Sequence, residues 1–287
     1  MPGRQATATR PQDDADADSG PHGLVDRTLA VIELLAQNAH GLPLFEIAER
    51  LQIPRSATHR LLASLIEHSY VRQERAHGAY MLTAKIASLG FMLLAGSGVT
   101  DLAQPILDRL ARDTQELVRL AVRDDDRLTF VAKAQGSPQG LRYDPDMGQV
   151  ARLSCSSSGI AWLSCLGDAE ALAIVERQGY GSTREYGPRA PQSKTAFLRI
   201  LRAARKLGYS VTMQTYSPWM AAMAAPVRRA DTGEVTGTIT VAGPHLRLTE
   251  KRMHECAPLL LEAADELSRT AVNLTSFVGR RATVFGN

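Results

Sequence analysis

The chain has 287 residues, long enough for two modest domains because a typical domain contains roughly 100–200 residues. Hydrophobic residues make up 44% and charged residues 22%, close to the soluble globular average, which excludes a collagen-like or largely disordered chain. The apolar uncharged run at residues 86–100 is shorter than the roughly 20 apolar residues of a membrane span. The N-terminal segment contains no apolar stretch typical of a signal peptide. We therefore expect a cytoplasmic protein.

The cysteines and histidines do not indicate a metal site. Cys155, Cys165 and Cys256 form no CxxC pair, and the seven histidines form no HExxH motif or Cys/His cluster. We expect reduced cysteines, no metal and no cofactor. The net charge of +3 permits a nucleic-acid partner without requiring one.

Residues 23–82 predict three short helices followed by a hairpin. The first helix, LVDRTLAVIELLAQN, places Leu29, Ile32 and Ala36 on one stripe. Gly41 follows it and is expected to act as its C-cap glycine. The second helix, LFEIAERL, is amphipathic and ends at the turn Gln-Ile-Pro.

The third predicted helix runs from about Arg55 to His68, and the segment YVRQERAHGAYML after it alternates like two strands around His77 and Gly78. Two helices joined by a short turn and followed by a hairpin are typical of a winged helix-turn-helix. At about 100° per residue, one face of the third helix is apolar and the other is short, polar and basic. The apolar face consists of Thr58, Leu61, Leu62, Leu65 and Ile66.

The polar face of this helix has the character of a surface that reads DNA. Its short residues permit close approach to a major groove, where Arg60 can reach a guanine edge or a phosphate. An arginine-bearing face is also common on helices that contact only solvent, and the pattern alone does not choose between the two. The predicted DNA-binding residues of the helix and the wing are Arg55, Ser56, Ala57, His59, Arg60, Ser64, Arg72 and Arg75.

The rest of the chain predicts an α+β domain. LVRLAVRDDDRLTFVAKAQ alternates like a hairpin around residues 124–126, and WMAAMAAPVRRA and EVTGTITVAG predict two strands around residues 231–233. SKTAFLRILRAARKLG predicts an amphipathic helix that ends at Gly208, and a closing helix has an apolar stripe from Met253 to Leu267. We expect an antiparallel sheet flanked by helices.

A serine-rich segment, residues 154–159, directly precedes the apolar helix IAWLSCL. Free N–H groups at a helix start, together with serine hydroxyls, can hold a carboxylate. A serine there can also cap the helix without any ligand, and the sequence alone favours this simpler role. A covalent role for Cys155 or a serine lacks a nearby histidine base. No catalytic constellation is evident, so we expect no enzymatic activity.

Two stretches, in the right order, resemble one protein family. GLPLFEIAERLQIPRSATHRLLASLIEHSYVRQERAHGAYMLTAKIASLG looks like the winged helix-turn-helix domain of the IclR family of bacterial transcriptional regulators. AAPVRRADTGEVTGTITVAGPHLRLTEKR is similar to the closing part of that family's effector-binding domain. The resemblance implies a regulator that binds double-stranded DNA and has a GAF-like effector-binding domain.

The resemblance also implies an effector site. The corresponding positions are Tyr143, Ser156, Ser157, Ser158, Thr212, Met220, Ala222 and Thr240. Thr212 and Thr215 stand where the family frequently has acids. Trp219 replaces a usual glycine and Ala222 a usual cysteine, so we expect a less acidic and more apolar pocket than is usual. Ala57 likewise replaces a usual threonine on the surface that reads DNA.

The predicted divisions are a disordered tail (1–22), a DNA-binding domain (23–82), a linker helix (83–100), an effector-binding domain (101–275) and a C-terminal tail (276–287). The linker helix is apolar on more than one side, with Ile86, Leu89, Leu93 and Leu94 at helical spacing. It is either a core helix of one domain or, as the resemblance implies, a helix that packs on its copy in a dimer. We favour the dimer, because a helix between two domains has little core of its own.

The sequence thus predicts a ligand-responsive, sequence-specific regulator of a catabolic or metabolic operon, acting as repressor or activator. Its predicted partners are a palindromic or nearly palindromic double-stranded DNA operator and further copies of the chain in a homodimer or homotetramer. The predicted effector is a small organic acid, and aromatic acids are among the candidates. No membrane partner is expected. The alternative is a small-molecule-processing enzyme that retains a winged helix as an interaction module.

Overall fold

The computed structural model describes residues 23–75, 78–97, 99–137, 142–145 and 147–270. The two predicted tails, residues 1–22 and 276–287, lie outside these ranges. The chain divides into two compact units, Met1–Met92 and Leu93–Asn287. Within the described ranges, no helix is both long enough and apolar enough to cross a lipid bilayer.

The first unit contains the three predicted helices and the hairpin. The elements are α1 (Leu24–Ala36), α2 (Leu44–Arg50), α3 (Arg55–Glu67), β1 (Val71–Gln73) and β2 (Tyr80–Leu82). The two strands pair antiparallel, with Arg72 opposite Met81. The turn predicted at His77 and Gly78 falls partly outside the described residues, since His77 is not among them. A helix α4 (Ala84–Ser97) follows and crosses the division between the units.

The core of the first unit confirms the predicted apolar face of α3 but not that of α1. On α3, Thr58, Leu61, Leu62 and Leu65 are buried, whereas Ile66 is 39% exposed. On α1 the buried residues are Val31 and Leu35. The predicted stripe is wrong, because Leu29 and Ala36 are exposed. This helix is apolar on several sides, so helical spacing fits two stripes and tertiary packing selects between them.

Gly41 has a different role from the predicted one. α1 ends at Ala36, and Gly41 lies in the following loop with φ +77°. A Cβ atom at Gly41 would lie 2.7 Å from the carbonyl oxygen of Tyr80. At this point Leu42 and Tyr80 exchange two backbone hydrogen bonds of 2.9 and 2.8 Å. The glycine therefore lets the loop pair with β2 and does not cap α1.

The second unit is an α+β domain built on one antiparallel sheet. Its strands are β3 (Leu117–Asp124), β4 (Arg127–Gln135), β5 (Ser210–Met213), β6 (Met220–Arg228) and β7 (Val235–Pro244). Its helices are α5 (Val99–Thr114), α6 (Ser157–Leu163), α7 (Asp168–Gln178), α8 (Lys194–Leu207) and α9 (Glu250–Thr270). The strand order is β4-β3-β7-β6-β5, and every neighbouring pair is antiparallel.

Helices cover both faces of this sheet. α5 and α9 pack on one face, over residues such as Leu120 and Val241, and α6, α7 and α8 pack on the other, over Ala121. The predicted hairpin, the closing helix and α8 are confirmed, and α8 is capped by Ser193 and ends at Gly208 in the left-handed conformation. α5, α7 and β5 are absent from the predicted elements. The antiparallel sheet between helices agrees with the expected α+β class.

Candidate functional sites

The predicted DNA-reading surface, formed by α3 and the wing, is largely exposed to solvent. Its exposed members are Arg55, Ser56, His59, Arg60, Ser64, Arg72 and Arg75. Ala57 is half-buried and packs against the core. Within the described ranges, none of the four arginines of this surface forms a salt bridge, so their charges are available to an anionic partner such as a phosphate.

The local sequence explains how α3 is held with this side outward. Gln52 adopts a left-handed conformation with φ 53° and reverses the chain after α2. Ile53 is buried in the core, and Pro54 precedes α3 with φ −54°, a value that suits a helix start. The buried Thr58 hydroxyl donates a hydrogen bond of 3.2 Å to the carbonyl oxygen of Pro54. These contacts fix one side of α3 in the core.

One edge of the DNA-reading surface also faces α1. Ala57, Arg60 and Ser64 line an open groove of about 590 Å³ together with Leu24 and Arg27 of α1. Leu24 is 74% exposed. Arg60 therefore lies at the boundary between the polar face of α3 and an exposed apolar part of α1.

Six of the eight predicted effector residues line one cavity beside the sheet of the second unit. They are Ser156, Ser157, Ser158, Thr212, Met220 and Ala222. The cavity has a volume of about 20 Å³, room for about one water molecule. The predicted set lacks five further residues that also line it, namely Arg119, Phe130, Thr215, Tyr216 and Ala221.

The three serines at the start of α6 have different roles. The Ser156 hydroxyl accepts a hydrogen bond of 3.1 Å from the N–H of Gly159, which makes Ser156 the N-cap. The hydroxyls of Ser158 and Thr240 are hydrogen-bonded at 2.6 Å, which ties α6 to β7. The Ser157 hydroxyl has no hydrogen-bond partner in the part of the chain that the structure describes. Capping therefore accounts for Ser156, and Ser157 presents a free hydroxyl to the cavity.

The other two predicted effector residues lie beside the cavity. Thr240 is held beneath α6 by the hydroxyl pair just described. Tyr143 packs against a small apolar cluster that includes Met220. Its ring centre lies 5.5 Å from the guanidinium carbon of Arg119. Burial raises the pKa of the Tyr143 hydroxyl, and the charge of Arg119 opposes this effect.

The two threonines at frequently acidic family positions use their hydroxyls within the protein. Thr212 donates to the carbonyl oxygen of Ala222 at 3.0 Å, and Thr215 donates to that of Cys155 at 2.6 Å. Both threonines are buried. No residue that lines the cavity is acidic, and Arg119 is the charged residue among them. Among the described residues, the lining of this cavity therefore carries no carboxylate.

Arg119 is the functional candidate that sequence reasoning missed. Val118 and Leu120 on β3 face α5 and α9, so Arg119 between them faces the opposite side, towards α6. It is 6% exposed. Burial lowers the pKa of its guanidinium, while Tyr143 opposes this effect. The sequence feature that could have identified Arg119 is the presence of one arginine on the inward-facing side of the apolar strand LVRLAV.

Cys155 lies next to the serines but is unsuited to act as a nucleophile. It is buried, and burial raises the pKa of its thiol to about 12. A thiol with this pKa is protonated at neutral pH, and the thiolate is the reactive form. Among the residues with described positions, no group of three or more His, Cys, Asp or Glu side chains could hold a metal ion.

Comparison with known families decides what these two units are. The family model described as bacterial transcriptional regulator IclR C-terminal matches residues 92–269, more than half of the chain, and the model described as IclR helix-turn-helix domain matches residues 24–75. The chain belongs to the IclR family of bacterial transcriptional regulators. The second match covers α1 to β1, and the first covers the whole sheet of this IclR-family regulator.

Individual relatives of this IclR-family protein are also regulators. It is 28% identical over 251 residues to the HTH-type transcriptional regulator BhcR of Paracoccus denitrificans, with 88% of each chain covered. It is 26% identical over 243 residues to the acetate operon repressor of Salmonella typhimurium, with 84% of this chain and 87% of that one covered. These relatives favour a regulator over the enzymatic alternative.

Solved structures of IclR regulators share the fold. The regulator from Alicyclobacillus acidocaldarius gives a TM-score of 0.73 at 23% identity and covers 86% of this chain and 98% of its own. An IclR homologue from Microbacterium hydrocarbonoxydans, solved in complex with 4-hydroxybenzoate, gives a TM-score of 0.71 at 19% identity. That match covers 87% of this chain and 99% of the homologue. The architecture of an N-terminal helix-turn-helix and a C-terminal antiparallel sheet is common to all three.

Proposed function

We propose that this IclR-family regulator binds a palindromic or nearly palindromic operator through the DNA-reading surface, and that a small organic acid in the cavity controls this binding. The main support is that one chain has both an exposed, arginine-bearing α3 and a buried cavity lined by serines and one cation. The acetate operon repressor among its relatives supports a catabolic or metabolic operon as the target.

On DNA, we assign Arg60, His59 and Ser56 to the major groove and Arg72 and Arg75 to contacts made by the wing. All five are exposed, and the three arginines form no salt bridge with any described residue. Arginine binds a guanine edge or a phosphate with paired hydrogen bonds, so Arg60 has the chemistry for base reading.

The Arg60→Ala variant tests this assignment in gel-shift titrations on the promoter beside the gene. If Arg60 reads a base, the loss is about 1–3 kcal/mol, which corresponds to about a 5- to 150-fold weaker affinity for the operator. A phosphate-only role weakens all sequences alike. Arg184→Ala removes an exposed arginine of the second unit and is the matched control. An unchanged operator affinity of the Arg60 variant contradicts the assignment.

The working unit is proposed to be a homodimer or homotetramer assembled through α4. Large apolar side chains on this helix are exposed in the single chain, namely Leu89, Phe91, Met92 and Leu93 at 42%, 69%, 60% and 61%. The side chain of Leu94, also predicted for this stripe, lies outside the described part. An exposed apolar stripe of this kind is typical of a helix that packs on a partner. Two copies of α3 then face two half-sites of a symmetric operator.

Light scattering of Phe91→Glu tests the dimer. We expect wild type to have at least twice the chain mass at micromolar concentration and the variant to have the mass of one chain, because a buried unpaired charge opposes the apolar contact. Leu246→Glu is the control, since Leu246 is 79% exposed but lies outside α4. A monomeric wild type, or equal masses for wild type and the Phe91 variant, contradicts the proposal.

The proposed effector is a small organic acid with an apolar part. Ser157 offers a hydroxyl donor, Arg119 a positive charge, and Met220 and Ala222 an apolar wall. Cavities that are mostly apolar with a few convergent polar groups are typical ligand sites. The 4-hydroxybenzoate in the Microbacterium homologue makes aromatic monocarboxylates the first compounds to test.

A thermal-shift screen of aromatic and short aliphatic acids tests the effector class. A ligand at about 100 times its dissociation constant adds about 2.7 kcal/mol, which raises the melting temperature of a domain of this size by about 5–11 °C. Ser157→Leu places a bulky side chain in the cavity, and Thr195→Leu on the exposed first turn of α8 is its control. If only amines or neutral sugars shift the melting temperature, or if Ser157→Leu binds acids as wild type does, the assignment is wrong.

Control of DNA binding requires that the acid binds two conformations with different affinity. The cavity of about 20 Å³ is smaller than any acid of several heavy atoms, so binding must move its walls. The hydroxyl pair of Ser158 and Thr240 connects one of these walls, α6, to the central strand β7. Displacement of α6 is therefore the change that we expect the acid to cause.

A further inference from the structure

Arg119 is a buried cation without a carboxylate partner. It is 6% exposed on β3 and lines the cavity with Ser157 and Met220. No acidic residue within the described ranges forms a salt bridge with it, and its Nε is buried with no hydrogen-bond partner there. Its close neighbours are aromatic, with the guanidinium carbon 3.6 Å from the ring centre of Phe130 and 5.5 Å from that of Tyr143.

Two other arginines of the same domain are paired in a way that Arg119 is not. Arg123, also on β3, donates to Glu234 at 3.0 Å. Arg247 holds the buried Glu116 side-on, with its Nε and Nη2 donating to the two carboxylate oxygens at 2.6 and 2.7 Å. The unused Nε of Arg119 belongs to the same edge of the guanidinium that Arg247 uses. That edge is suited to a carboxylate that binds through both oxygens.

We infer that Arg119 forms the ion pair with the carboxylate of the effector and makes the cavity selective for monocarboxylates, an inference that rests on the proposed function. A buried charge without a counter-ion is unfavourable, and a carboxylate supplies both the charge and the missing hydrogen-bond acceptor. The other residues that line the cavity are uncharged. A second negative charge on the ligand would therefore be buried without a partner, whereas an apolar remainder finds Met220 and Ala222.

The alternative is a purely structural role, in which Arg119 fills the space over Phe130 as a cation–π contact. The two roles differ in their effect on the protein without ligand. A structural contact stabilises the fold, so Arg119→Met lowers the melting temperature. If Arg119 is instead the ion-pair partner of a ligand, its unpaired charge does not stabilise the protein without ligand. Replacing it by an apolar side chain of similar length then leaves the melting temperature unchanged or raises it.

The experiment measures binding of defined acids to full-length wild type, Arg119→Met and Arg119→Lys by calorimetry and thermal shift. The monocarboxylates are pyruvate, butanoate, benzoate and 4-hydroxybenzoate, the neutral analogues are butanamide and benzamide, and the dicarboxylates are succinate and phthalate. Arg123→Met is the control, because it removes an arginine from the same strand that already has a carboxylate partner. Arg119→Lys keeps the charge but lacks the planar pair of donors.

We expect wild type to bind at least one monocarboxylate more tightly than its amide or the matching dicarboxylate. Arg119→Met should weaken this binding by about 10- to 150-fold, Arg119→Lys by less, and Arg123→Met not at all, with no loss of melting temperature in Arg119→Met without ligand. If monocarboxylates bind wild type and Arg119→Met equally, or if Arg119→Met melts lower and the dicarboxylates bind best, the inference is wrong and the proposed acid effector stands. If no acid binds wild type, both are wrong.

Discussion

The hydrogen bond between Ser158 and Thr240 offers a quantitative test of how the cavity wall is held. Both residues are 1% exposed, and their hydroxyl oxygens lie 2.6 Å apart. Ser158→Ala leaves the Thr240 hydroxyl buried without this partner, and Thr240→Val does the converse. An unsatisfied buried hydroxyl costs about 1–3 kcal/mol. For a domain of this size each variant should therefore melt about 2–12 °C lower.

The double variant, Ser158→Ala with Thr240→Val, should be destabilised by less than the sum of the two single changes, because it leaves no orphaned hydroxyl. Tryptophan fluorescence during urea unfolding measures the free energy of unfolding of the second unit selectively. The chain has two tryptophans, Trp162 and Trp219, and both lie in the second unit. Thr195→Val on the exposed start of α8 is the control for loss of a hydroxyl. Single effects that add within about 0.5 kcal/mol would refute the coupling between α6 and β7.

Three further outcomes follow from the packing. Gly159→Ala should displace α6 and abolish acid binding, because its Cβ would lie 2.4 Å from the Leu153 Cα. Gly167→Ala, at the N-cap of α7 and with nothing near its Cβ, should lose only about 1 kcal/mol of stability; equal stability of the two variants contradicts this. Leu62→Ala should destabilise the first unit by about 2–5 kcal/mol, seen as lost operator binding, without moving the tryptophan transition of the second. Cys155 should resist thiol alkylation at pH 8 until the protein unfolds, as mass spectrometry of labelled peptides can show. Because burial raises the pKa of its thiol to about 12, the contribution of Cys155 to stability should fall as the pH rises from the ordinary thiol pKa towards 12.

The elements that sequence patterns predict well here are those with one dominant apolar face. α3 has four buried residues at the predicted positions, because its other side is polar and no second stripe competes. α1 is apolar on several sides, so spacing alone cannot select between the stripe of Leu29 and that of Val31 and Leu35. Gly41 shows a similar ambiguity, since a glycine after a helix fits both a C-cap and a close approach to a distant strand.

The candidate cavity was predictable from the sequence in part. The serines, Thr212, Met220 and Ala222 follow from the family resemblance and do line it. Arg119 also lines the cavity but does not follow from the resemblance. The alternation of side chains along β3 cannot say which inward-facing residues meet a cavity and which meet a packed core. Phe130 faces the same cavity because β4 has one extra residue, Val131, opposite Leu120 and Ala121, and this bulge shifts the register between β3 and β4. Bulges of this kind have no reliable sequence signal here.

The small volume of the cavity has a consequence for the speed of the response. Since about 20 Å³ admits no acid of several heavy atoms, the walls must open before or as the ligand enters. Association should then be slower than for a ligand that enters an open site, and if opening comes first the observed rate should level off at high acid concentration. In a cell, the proposed sensor would then report metabolite levels averaged over the opening time and would be insensitive to shorter fluctuations.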